Sequence, residues 1–291
     1  MRKSILTILV AVFALTAHAQ FGGGQRRPQF PFFFRARVDT VKIWPNGAPN
    51  AFETKAGDQF TEAFMELYPA RNPNGYCVIM CPGGGYSTLS LTHEGRDIHT
   101  WFNTRGYTFC LLQYRLPRQH HDVPLSDIQE AIRIMRSRTD LGIKHVGVMG
   151  TSAGGHLAAT ASTLFKDSVT RPDFQVLLYP VITLQEGITH MSSRRFLLGD
   201  NPSQQLIDRY SADKQVTKDT PPALIFLSSD DFLVPPANSI MYYQALLANH
   251  VNASMHIYPS GGHGWGWGDD FVYKTEWSLE LERWLNTVIR K

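Results

Sequence analysis

From Val38 onward, two kinds of hydrophobic pattern alternate along the chain. Tyr76–Cys81 (YCVIMC) and residues 107–114 (YTFCLLQY) are apolar almost throughout, as expected of strands buried on both faces. Shorter runs predict strands at 38–44, 62–68, 145–149, 174–179, Ala223–Ser228 and 254–258. Between them lie stretches with helical spacing. Ile128, Ala131, Ile132 and Met135 recur at three and four residues after Ser126, which is placed to cap that helix, and Gly142 closes it. Further helices are predicted at 94–104, 153–164, 236–249 and 272–291, where Trp277, Leu281 and Leu285 share a face. Strands separated by helices imply a mostly parallel central sheet with helices on both faces, an α/β architecture. Only the stretch 182–219 breaks the rhythm, and it reads as a small insertion.

The first residues follow another logic. Arg2 and Lys3 precede an apolar run over 5–15, and Ala17-His18-Ala19 comes before Gln20. A basic start, a short apolar core and an A-x-A end mark a cleaved export signal over 1–19, cut after Ala19. The run falls short of the roughly 20 apolar residues a membrane helix needs, so no membrane insertion is expected after cleavage. The destination is periplasmic or secreted. Residues 20–37 mix Gly, Pro, Arg and Phe with no period and read as a loose arm, leaving 38–291 as one domain.

The formal charge is +3, of which Arg2 and Lys3 supply two. A remainder near neutral argues against nucleic acid as a partner. Three cysteines, Cys77, Cys81 and Cys110, cannot form a complete disulfide framework, and they read as buried apolar thiols. Eleven histidines show no zinc-type spacing with them, so no metal or other cofactor is expected. Nothing in the sequence specifies an oligomeric state.

Four segments carry chemistry. Gly150-Thr151-Ser152-Ala153-Gly154 lies between a strand and a helix. A G-x-S-x-G turn there exposes the serine hydroxyl and aims the next amide, that of Ala153, at a developing oxyanion. Pro82-Gly83-Gly84-Gly85-Tyr86 follows a buried strand. Its glycines free backbone amides to face a ligand, which makes Gly84 and Gly85 candidate donors, although Pro82 stands where such loops carry His. A phosphate-binding loop is the competing reading, but the Lys and Ser/Thr it needs are missing. Asp230 and Asp231 both end a strand and could orient a histidine; Asp231, three residues before Val234-Pro235, is preferred. His263 sits among glycines after another strand, poorly placed for packing and free to reach Ser152. His93, His120, His121 and His156 read as structural. Tyr86, Trp265 and Trp267 are aromatic faces beside these loops that could stack on a ligand or pack the loops against the domain.

PGGGY, GTSAGGHLA, TPPALIFLSSDDFLVP and YPSGGHGWG together resemble small bacterial α/β-hydrolase esterases related to acetyl xylan and feruloyl esterases. The order Ser, Asp, His is also that of α/β-hydrolases. The resemblance runs from about Lys42 onward. It implies an α/β-hydrolase fold with Ser152 as nucleophile, His263 as base and Asp231 as orienting acid. It further implies an acylated plant carbohydrate as substrate, with deacetylation preferred over feruloyl removal. A serine exopeptidase of the same fold would need acidic residues to hold a free amino terminus. A carbohydrate-binding relic would not be expected to keep all three triad residues. A glycosidase would need two facing carboxylates, which this sequence does not offer near the glycine loops.

Overall fold

The computed structural model describes residues 38–290, so the expected export signal and arm lie outside the described residues. Within these, the sheet has eight strands: β1 (Asp39–Lys42), β2 (Phe64–Tyr68), β3 (Tyr76–Cys81), β4 (Thr108–Gln113), β5 (His145–Thr151), β6 (Gln175–Leu178), β7 (Ala223–Ser228) and β8 (Ala253–Tyr258). Their order across the sheet is β1-β2-β4-β3-β5-β6-β7-β8. β1 and β2 are antiparallel to their neighbours, and every pairing from β4 to β8 is parallel.

The helices are α1 (His99–Asn103), α2 (Asp122–Ser137), α3 (Ser152–Thr163), α4 (Met191–Leu198), α5 (Gln204–Tyr210), α6 (Ala237–Ala248) and α7 (Lys274–Trp284). Alternate residues of each central strand feed two separate cores. Cys77, Ile79 and Cys81 of β3 pack with Ile128 and Ile132 of α2, Leu157 of α3 and Leu246 of α6. Val78 and Met80 face the opposite side, where Phe102 of α1 and Trp277 and Leu281 of α7 pack. A central strand apolar at every position is thus the signature of a sheet covered on both faces. The three cysteines are free and buried, and the Cys77 and Cys110 sulfurs lie 3.7 Å apart on neighbouring strands.

Local departures from the sequence expectations have simple causes. α2 begins at Asp122, four residues before Ser126, so Ser126 is not its cap. Pro124 fits the first turn, where its missing N–H costs nothing, and the Ser126 hydroxyl instead donates to the Val123 carbonyl at 2.7 Å. The helix expected at 94–104 is shorter, a 3₁₀ turn over Arg96–Ile98 followed by α1. The 182–219 stretch does form an insertion, carrying α4 and α5 between β6 and β7.

One buried ion pair anchors the segment after β4 to α2. Asp127, wholly buried, accepts from the Arg115 backbone amide at 2.9 Å, from Arg115 Nη2 at 2.7 Å and from Trp44 Nε1 at 2.7 Å. Burial pushes its carboxyl up, and Arg115 opposes that shift. Removing one partner would leave a buried charge without its counterion. Asp127→Ala is therefore expected to lose about 3–5 kcal/mol of stability, read as a lowered midpoint in urea unfolding. A midpoint equal to wild type would show the pair to be dispensable.

Candidate active site

Parallel strands end at one edge of the sheet, so the loops after β3, β5, β7 and β8 emerge together. The turn after β5 is the tightest. Ser152 is both the first residue of α3 and a non-glycine residue at φ 52°. Such a backbone costs on the order of 1–3 kcal/mol and persists only when its surroundings enforce it. Here the enforcing contact is visible: a Cβ at Gly154 would lie 2.1 Å from the Cys81 carbonyl oxygen, so α3 approaches the end of β3 as closely as a bare backbone allows.

Ser152, His263 and Asp231 form one hydrogen-bonded chain. Ser152 Oγ lies 2.8 Å from His263 Nε2, and His263 Nδ1 lies 2.7 Å from Asp231 Oδ2. A carboxylate can only accept, so Nδ1 carries the proton of the neutral ring and Nε2 accepts from the serine hydroxyl. Asp231 is 3% exposed, and its Oδ1 accepts the Leu233 and Val234 amides at 3.0 and 2.9 Å. The spacing of Asp231 to Val234 thus has a physical basis: the loop turns around the carboxylate and fixes it. The neighbouring candidate, Asp230, accepts instead from the Gly262 and Gly261 amides at 2.8 and 3.3 Å, and so holds the backbone leading into His263.

The glycine loop after β3 flanks the serine. The Gly83 amide donates to Thr151 Oγ1 at 2.9 Å, and the Gly84 carbonyl accepts the Ser87 and Thr88 amides. This leaves the amides of Gly84 and Gly85 uncommitted among the described residues. Ala153 contributes a first-turn amide of α3, which has no intrahelical acceptor. Ala153 directly follows Ser152 in the chain, and the glycine loop reaches the serine at Gly83, where a Cβ would lie 3.0 Å from Ser152 Cβ.

The aromatic platform expected from Tyr86 and Trp265 is not formed. Tyr86 is 2% exposed, and its hydroxyl bonds His156 Nδ1 at 2.8 Å. Trp265 is buried, stacked on Phe271 at 4.1 Å, with its Nε1 donating to Ser228 Oγ. Large rings next to glycine-rich turns serve here as packing that stiffens the turns. Trp267 is half-buried, edge-on to Trp277, with the Lys274 ammonium 4.7 Å over its ring.

Other residues at the site carry no motif in the sequence. His190, from the insertion, places Cε1 3.8 Å from where a side chain at Gly85 would begin and bonds Ser193 Oγ through Nδ1. Burial, followed by the nearby His263, lowers its pKa. Glu94 and Tyr179, read only as helix and strand residues, meet beneath the histidine loop at 2.8 Å.

This fold, with a serine at the strand-to-helix reversal and a histidine and an acid from later loops, defines a hydrolase of the α/β class. Residues 78–266 match the family described as alpha/beta hydrolase fold, and the chain belongs to that family. The sequence is 38% identical over 234 residues to an acetylxylan esterase of Xylanibacter ruminicola, covering 78% of this chain and 48% of that protein. It is 34% identical over 205 residues to endo-1,4-beta-xylanase B of Butyrivibrio fibrisolvens, covering 65% of this chain and 32% of that one. The chain thus spans half or less of the length of these curated relatives. Among solved structures, an acetyl ester-xyloside bifunctional hydrolase from Caldicellulosiruptor lactoaceticus superposes with a TM-score of 0.79 at 33% identity. That match covers 88% of this chain and 98% of the other.

His156 generates a pH test. It lies fully buried beneath the site, and its Nε2 is 2.7 Å from the Tyr210 carbonyl, which fixes the tautomer and makes Nδ1 the acceptor for Tyr86. Burial lowers its pKa from 6.5 to about 4. The unfolded chain therefore binds a proton that the folded chain refuses between these values. This contribution to stability is full above pH 6.5 and is lost as pH falls toward 4, by about 3 kcal/mol. Urea midpoints measured across that range should show the loss in wild type and a weaker slope in His156→Gln.

Proposed function

We propose that the protein is a serine carboxylic-ester hydrolase that removes acetyl groups from decorated plant polysaccharide or its oligosaccharides. The observation that carries this reading is the chain from Ser152 Oγ through His263 to Asp231, with contacts of 2.8 and 2.7 Å. In the reaction, Ser152 attacks the ester carbonyl while His263 Nε2 takes its proton. Asp231 holds the ring in the required tautomer and stabilises the imidazolium. The amides of Ala153, Gly84 and Gly85 receive the developing oxyanion, each effective donor lowering the barrier by about 3 kcal/mol. The sugar hydroxyl leaves with the proton from His263. Water then attacks the acyl-enzyme through the same base, restoring Ser152 and releasing acetate.

The relatives support an acetylated carbohydrate as substrate, and the site favours ester over glycosidic cleavage. The Xylanibacter relative is an acetylxylan esterase, and the Caldicellulosiruptor protein is an acetyl ester-xyloside bifunctional hydrolase. Glycosidic cleavage would need two carboxylates facing the bond. Glu94, beside Gly83, and Asp231, beside His263, are 5% and 3% exposed and already committed to Tyr179 and His263, which favours ester chemistry. Phe232, directly after Asp231, is 94% exposed and offers a sugar ring the open face that Tyr86 and Trp265 do not. The basic-apolar start ending in Ala19 supports export to where such polymers are met.

Acetate release from acetylated xylan and xylo-oligosaccharides tests the assignment, with a feruloylated substrate alongside. Wild type should release acetate, and Ser152→Ala should fall by several orders of magnitude, on the order of 10⁶. Feruloyl release without acetate release would move the substrate class, and full activity in Ser152→Ala would remove the nucleophile assignment. Phe232→Ala should raise KM for acetylated xylo-oligosaccharides by about three- to tenfold, the value of one ring contact, with KM for a small aryl acetate unchanged. Equal KM shifts on both substrates would count against a sugar contact there.

A further inference from the structure

Glu94 takes no part in the reaction above, yet it is buried beside both halves of its machinery. Its Oε2 lies 2.7 Å from where a Cβ on Gly83 would stand, directly under the glycine loop. Its Oε1 accepts the Tyr179 hydroxyl at 2.8 Å. That hydroxyl in turn accepts the Gly266 amide at 2.8 Å, three residues beyond His263. Burial pushes the Glu94 carboxyl up, and hydrogen bonds from Tyr179 and Ser90 pull it back.

The two loops joined in this way come from strands far apart in the sheet. The glycine loop follows β3 and the histidine loop follows β8, with β5, β6 and β7 between them. Four strand spacings of about 4.8 Å separate their points of origin. Tyr179, just after β6, sits midway, and it is held at φ 37° with its ring edge-on to His263 at 4.7 Å. The histidine loop also rests on the backbone before Glu94. Trp267 N–H donates to the His93 carbonyl at 2.7 Å, and a Cβ at Gly266 would lie 2.4 Å from that same oxygen.

We propose that Glu94 and Tyr179 are positioning residues, a carboxyl–hydroxyl strut that sets the histidine loop against the glycine loop. The strut keeps His263 Nε2 and the oxyanion amides at a fixed separation while charge moves between them. This rests on the catalytic reading of Ser152 and His263 given above. Neither residue touches substrate; both act through the loops they join. A shift of about 1 Å in a group aligned for reaction can cost on the order of 100-fold in rate, so a slack strut should show in turnover and not in substrate affinity.

The test compares Tyr179→Phe, Glu94→Ala and Glu94→Gln on an aryl acetate, with active sites counted by titration with a serine-reactive organophosphate. Tyr179→Phe and Glu94→Ala should each lower kcat per titrated site by about 10- to 100-fold, with KM within roughly threefold of wild type. Glu94→Gln keeps an acceptor for Tyr179 and should recover most of the loss. The strut is overturned if kcat per titrated site in Tyr179→Phe stays within roughly threefold of wild type, whatever happens to its melting temperature. It is also overturned if Glu94→Gln is as slow as Glu94→Ala, since charge and not the hydrogen bond would then matter. Should Glu94→Ala fail to fold, Tyr179→Phe, which loses a single oxygen atom, decides alone. Ser152→Ala assayed in parallel separates the two ideas: turnover surviving there removes the catalytic reading itself, whichever way the strut variants fall.

Discussion

Where α3 leaves β5, the backbone of Gly154 comes against the carbonyl of Cys81 at the end of β3, and the rest of the site is arranged around that contact. It forces Ser152 into a left-handed conformation at the head of a helix, so the hydroxyl stands clear of the sheet. It also sets the glycine loop beside the serine, because that loop begins one residue after Cys81. A side chain at Gly154 would push the two strand ends apart and move the serine away from Gly83 at the head of the glycine loop. The strain at Ser152 is sustained by two strands buried on both faces, which cannot shift without opening both cores.

Around this fixed centre, four acids divide the work of holding the loops. Asp231 turns its own loop through the Leu233 and Val234 amides and keeps its second oxygen for His263. Asp230 holds the backbone entering the histidine loop, and Glu94, through Tyr179, holds the backbone leaving it. Asp127 does the same at a distance, tying the segment after β4 to α2 through Arg115. In each case a carboxyl oxygen accepts backbone amides or a partner's side chain in a loop that has no sheet or helix ladder of its own. Loops at a strand edge need such acceptors, since a buried amide without one costs as much as the order it supplies.

The chain is similar in sequence to an acetylxylan esterase and an endo-1,4-beta-xylanase and in fold to an acetyl ester-xyloside bifunctional hydrolase, although it spans half or less of the two curated relatives. The family relation settles the architecture, whereas the chemistry is read from the site. Aromatic residues around the triad illustrate the difference. Three rings stand next to motif residues in sequence, yet two are packing for the turns, and the exposed ring, Phe232, belongs to no glycine motif.

The architecture and the triad candidates were legible in the amino-acid sequence because both are written in local patterns. Uniformly apolar runs specify strands covered on both faces, and glycines beside Ser152 and His263 mark backbone geometry that other residues resist. Even the preference for Asp231 over Asp230 has a local cause, in amides two and three residues ahead of it. Helix boundaries were less legible: Ser126 looked like a cap, but Pro124 and the 3₁₀ turn before α1 follow from how the chain enters each layer. The direction of each ring, the place of His190 beside Gly85, and the meeting of Glu94, Tyr179 and Gly266 were decided by tertiary structure alone. Those contacts join residues from different strands, and no periodicity along the chain encodes which loops the strand order will bring together.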